Sequence, residues 1–124
     1  MKLVDTSVWI DFLRGRPGVV GLGESVREGS VLMHPWVLGE IALGNLGTRR
    51  HSILEDLSLL PMAPIVQPTE LLSFIDHHSL GGTGLGLVDI AVMASANLAG
   101  ADLVTGDRRL ATAWERMQQG RSSR

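Results

Sequence analysis

A short apolar run that stops at an acid opens the chain. Lys2, Leu3 and Val4 lead to Asp5, the hydroxyl residues Thr6 and Ser7 follow, and an amphipathic stretch continues from Val8 to Leu13. This pattern predicts a buried strand that delivers Asp5 to its carboxyl end, with Thr6 or Ser7 capping the next helix. In open α/β sheets that end of a strand is where ligands sit. The arrangement recurs late in the chain, where Ala101 to Thr105 predicts a strand, Gly106 a turn, and Asp107 to Gln119 the last helix.

The segments between keep the alternation. Val19 to Arg27 predicts a short helix, weakened by Gly21 and Gly23, and Ser30 to Met33 a second buried strand. His34 and Pro35 open a helix expected to run through Leu46, because proline fits a first helical turn whose N–H groups are unpaired anyway. Ser52 to Leu60 predicts a helix capped by Ser52. Met62 to Val66 is a Pro-bearing segment, suited to an edge strand. Pro68 to His77 or His78 predicts a helix, residues 81–86 a glycine-rich loop, and Leu87 to Ala99 a helix closed by Gly100. Strands alternating with helices give an α/β class with a mainly parallel sheet.

A chain of 124 residues suits one domain, here residues 1–119, with 120–124 expected as a disordered tail. The absence of cysteine excludes disulfides, thiol catalysis and Cys-based zinc sites. The longest apolar segment, Leu87 to Ala99, is too short to span a bilayer, which takes about 20 residues. With no signal peptide pattern either, a cytoplasmic location and no membrane are expected. The net charge of −2 does not mark a strongly basic nucleic-acid binder. All basic residues but Lys2 are arginine, which pairs with phosphate in a bidentate way that lysine cannot. Arg14 and Arg108, just past elements that carry acids, head the candidates for phosphate contact, with Arg16, Arg49, Arg50 and Arg109 behind them.

Four acids stand out. Asp5 and Asp107 occupy matching strand ends. Glu40 shares a helix face with Trp36 and Leu43, taken as core residues, which turns it inward or into a cleft. Asp89 is the only charged residue in its helix, beside Val92 and Met93. Each acid alone has an ordinary explanation as a cap or an ion-pair partner. Together they repel: two like charges about 4 Å apart cost on the order of 4 kcal/mol at an effective dielectric of about 20. An all-oxygen set favours Mg²⁺ or Mn²⁺ over zinc. Other signals fall away. Residues 81–86 lack the Gly-Lys-Ser/Thr ending of a nucleotide loop. His34 and His51 are taken as surface or loop residues, and His77 and His78 point about 100° apart on a helix. An aspartyl-phosphate enzyme would want a second acid at Ser7, and a receiver domain a late lysine.

The motifs Asp5-Thr6-Ser7-Val8-Trp9-Ile10, Leu87-Val88-Asp89-Ile90-Ala91 and Thr105-Gly106-Asp107, with Glu40 in a helix after the second strand, resemble a PIN domain. The nearest resemblance is to the VapC-type ribonuclease toxins of bacterial toxin–antitoxin pairs, and it covers nearly the whole chain. It implies a three-layer α/β/α sandwich with a four- or five-stranded sheet. It also implies an endoribonuclease that uses Mg²⁺ or Mn²⁺ on tRNA or rRNA, forms a homodimer and is inhibited by a VapB-like antitoxin. Carried over by position, Asp5, Glu40, Asp89 and Asp107 are metal-binding and catalytic, and Ser7 and Thr105 orient carboxylates or water. The family's usual final strand has no counterpart, since residues 114–120 lead into a polar tail. The alternative is a catalytically silent module of the same fold that acts through protein contacts.

Overall fold

The computed structural model describes residues 1–16 and 20–122, with backbone only for the last two. Three parallel strands, β1 (Lys2–Val4), β2 (Val31–Leu32) and β3 (Asp102–Val104), lie in the order β2-β1-β3. Lys2 registers with Val31 on one side and Asp102 on the other. Leu3 and Val4 point to opposite faces of the sheet, as neighbours on a strand must. Both are fully buried, so both faces are covered by helices.

Those helices are α1 (Thr6–Leu13), α2 (Leu22–Arg27), α3 (Pro35–Leu43), α4 (Arg50–Ser58), α5 (Pro68–His77), α6 (Leu87–Ala99) and α7 (Arg108–Ser122). Two apolar clusters form the core. One joins the sheet to α1, α3 and α6; the other joins α5, α6 and α7; Leu103 and Trp114 pack against both. Helix α6 belongs to both clusters because it is buried without interruption from Ile90 to Ala96, where alanines and a serine let neighbours approach closely. Its end follows the expectation, with Gly100 at φ 64° supplying the left-handed C-cap.

Several expectations are corrected. Residues 62–66 form no strand. Met62 makes a single bridge to Met33, held by Met33 N–H to the Pro61 carbonyl and Ala63 N–H to the Met33 carbonyl. The next donor along β2 would be Pro35, which has no N–H and already begins α3, so the ladder goes no further. The sheet among the described residues is therefore three-stranded, not four- or five-stranded, within the expected α/β class. Helix α3 stops at Leu43 instead of Leu46, because Gly44 turns extended, and a 3₁₀ turn at Gly47–Arg49 leads directly into α4, two residues before Ser52. Helix α2 begins at Leu22, and part of the expected Val19 start lies outside the described residues. Helix α7 continues past Gln119 to Ser122, into the stretch read as tail; residues 123–124 lie outside the described residues. His34 is not a surface residue. It is buried, and its Nδ1 accepts the Trp36 N–H at 3.1 Å as the N-cap of α3. Burial pushes its imidazole below the ordinary value of 6.5.

Candidate acidic site at the strand ends

Asp5 follows β1 directly and is itself the N-cap of α1, the role expected of Thr6 or Ser7. Its Oδ1 accepts the Val8 N–H at 3.3 Å and the Ser7 hydroxyl at 2.9 Å, and its Oδ2 accepts the Thr105 hydroxyl. A buried carboxylate needs such donors, since an uncompensated one costs several kcal/mol. Thr105 thus ties the ends of β1 and β3 together, and its oxygen also accepts the Asp107 N–H at 3.0 Å. Asp107 caps α7 as Asp5 caps α1: its Oδ1 accepts the N–H groups of Arg109 at 2.8 Å and Leu110 at 3.2 Å.

The other two acids come from helices. Glu40 lies on the exposed side of α3. Val37 and Ile41 form the buried face of that helix, whereas Trp36 is 44% and Leu43 89% exposed. The expected stacking of Glu40 on core neighbours is therefore wrong, and the acid reaches the cleft from outside. Its Oε1 accepts the Thr6 hydroxyl at 2.5 Å, a contact for which the sequence offered no signal beyond a hydroxyl in the motif. Asp89 is half-buried in the first turn of α6. Burial holds its carboxyl above the ordinary 3.8, the Gly86 N–H opposes this, and the charges of Asp107, Asp5 and Glu40 reinforce it.

An open cavity of about 460 Å³ lies between these elements, lined by Asp5, Thr6, Ser7, Ile10, Glu40, Asp89, Gly106 and Asp107. All four acids singled out in the sequence meet there. Neither Arg14 nor Arg108 lines the cavity. Arg14 ends α1, Arg108 begins α7 beside Asp107, and both are exposed. Arg16 pairs with Asp11 at 3.1 Å, and the Arg50 guanidinium donates to the Gly44 carbonyl. Arg109 donates to the Gly84 carbonyl, and so holds the glycine-rich loop that leads into α6.

A PIN domain profile matches residues 2–114. The chain belongs to the PIN-domain family. Within it, the chain sits with VapC-type members. It is 40% identical over 91% of its length to ribonuclease VapC32 of Mycobacterium tuberculosis, in two strains, and spans 90% of that relative. Solved structures share the fold. PAE2754 from Pyrobaculum aerophilum aligns at TM-score 0.67 and 16% identity, over 90% of this chain and 83% of that one. FitAcB from Neisseria gonorrhoeae aligns at TM-score 0.63 and 21% identity, over 93% and 94%.

Among the described residues no three carboxylates converge closely enough to cage an ion outright. The donor set still fits a small hard cation. It is all oxygen, and Mg²⁺ ordinarily takes one or two carboxylates and keeps several waters. Burial first, and then the charges of Asp107, Asp5 and Glu40, raise the Asp89 carboxyl, and a cation would offset both. No helix among the described residues is long and apolar enough to cross a membrane.

Proposed function

We propose that this chain is a metal-dependent endoribonuclease of the VapC type, and that Asp5, Glu40, Asp89 and Asp107 carry the chemistry. The observation that carries this reading is the single cavity in which four acids from four separate elements meet. The ribonuclease named among its relatives, similar over nearly the full length of both chains, supports the same activity.

Asp5 and Asp107, fixed by their caps, would hold Mg²⁺ or Mn²⁺, with Glu40 and Asp89 completing the set directly or through water. Such an ion supplies positive charge against a phosphodiester and acidifies water. The protein's own part is positional. Ser7 and Thr105 hold the Asp5 carboxylate in one orientation, so it needs no rearrangement when substrate arrives. A carboxylate of the cavity not taken up by the cation would accept a proton from attacking water. Arg14 and Arg108 are proposed to meet RNA phosphates outside the cavity. Membership of the VapC type extends the proposal to a tRNA or rRNA substrate, a homodimer, a VapB-like antitoxin and a cytoplasmic setting.

The test is cleavage of total bacterial RNA by purified, antitoxin-free protein with Mg²⁺, Mn²⁺ or EDTA, alongside Asp5→Asn and Asp89→Asn. Discrete fragments that vanish in EDTA and in both variants are expected. Fragments that persist in either would overturn the four-acid site. Growth arrest by variants that no longer cut RNA would favour the silent module acting through protein contacts.

A further inference from the structure

Glu40 has less support than the two strand-end acids. Asp5 accepts three hydrogen bonds and Asp107 two, yet Glu40 sits exposed on α3 with a long side chain whose rotamer freedom costs up to about 2 kcal/mol to freeze. Its one recorded donor is the hydroxyl of Thr6, at 2.5 Å, reaching across from α1.

The position of Thr6 explains why that hydroxyl is available. In a helix interior, a threonine hydroxyl is drawn to the carbonyl four residues earlier. Thr6 is the first residue of α1, and four residues earlier lies Lys2, in β1, whose backbone serves the sheet. Capping of α1 is done by Asp5, so Thr6 is not needed there either. Thr6 lines the acidic cavity together with Glu40.

We propose that Thr6 is a positioning residue that aims the Glu40 carboxylate into the cavity, so that the site has its fourth acid in place before a cation or RNA arrives. The inference rests on the ribonuclease reading above. It assigns to Thr6 a task distinct from those of Ser7 and Thr105, which both act on Asp5.

The experiment compares Thr6→Val, which keeps the shape and removes the donor, with Thr6→Ser, which keeps the donor. Both are made alone and in a Glu40→Gln background. Mn²⁺ binding is measured by calorimetry on antitoxin-free protein, thermal unfolding in EDTA, and kcat and KM on a cleavable RNA. The valine variant is expected to bind Mn²⁺ about 3–10-fold more weakly, the net scale of one typical hydrogen bond. Its kcat should fall with KM unchanged, and serine should restore both. In the Glu40→Gln background, valine should add nothing further. Wild-type Mn²⁺ affinity in Thr6→Val, or losses that simply add to those of Glu40→Gln, would overturn the proposal. Absence of Mn²⁺ binding by the wild-type protein would instead overturn the ribonuclease reading. The unfolding cycle in EDTA would then decide the contact alone: coupling between Thr6 and Glu40 supports it, and none overturns it.

Discussion

Asp5 and Asp107 stand at the ends of β1 and β3, each gripped by two or more donors, whereas Glu40 and Asp89 project from α3 and α6 with one apiece. The strand-borne acids are part of the fold's own hydrogen bonding: each caps the helix that follows it. The helix-borne acids contribute nothing comparable, and Asp89 is held above its ordinary range by burial and by the other three charges. One half of the cavity is thus built from groups that stabilise the fold, the other from groups tolerated at a cost.

The largest expected effect falls on the gripped half. Asp5→Ala removes the cap of α1 and strands two hydroxyl donors. It should cost about 2 kcal/mol of stability, read by urea denaturation. RNA cleavage should fall on the order of 10²-fold or more. Unchanged stability in this variant would break the comparison.

Asp89→Asn should lose cleavage on a similar scale and yet shift stability the other way. The folded carboxyl takes up a proton more readily than the unfolded one, so its charge disfavours folding at neutral pH. That cost disappears as pH falls through the raised value toward 3.8. In EDTA the asparagine variant should therefore melt higher than wild type at neutral pH, with the gain shrinking as pH drops. Added Mg²⁺ should raise the wild-type melting temperature more than the variant's.

The smallest effect concerns the support behind Glu40. His34 caps α3, and burial keeps it neutral. As pH falls through 6.5 the unfolded chain gains a proton more readily than the folded chain, so stability present above that value is progressively lost below it. His34→Asn keeps an acceptor for the Trp36 N–H and removes the titration. Its melting temperature should vary less with pH on the acid side of 6.5, with little change in cleavage. An equally steep pH dependence in the variant would place the titrating group elsewhere.

The four acids were legible in the sequence for different reasons. Asp5 and Asp107 follow apolar runs, and a strand end next to a helix start is a local pattern. Asp89 was legible as a charge alone in an apolar helix. Glu40 is legible only by accident: its helix neighbours Trp36 and Leu43 read as core residues, yet α3 buries its Val37 and Ile41 side. Periodicity shows that a helix has two faces but not which one meets the sheet. His34 was misplaced similarly, since burial of a capping residue depends on what packs over it. Residues 62–66 make only one bridge because the neighbouring segment turns into α3 at Pro35, a matter of register that composition does not show.

The central place of β1 in the sheet carries a consequence for how the molecule comes into being. Among the described residues β1 is flanked by β2 and β3, and Asp5 waits for Thr105, 100 residues later, before its carboxylate is fully held. At roughly 5–20 residues per second, that interval is on the order of 5–20 s of translation. A nascent or prematurely terminated chain that ends before β3 has one flank of β1 unpaired and only three of the four acids. Assembly of the cavity therefore requires both β1 and the segment 100 residues after it, so a product that stops between them lacks a complete acidic site.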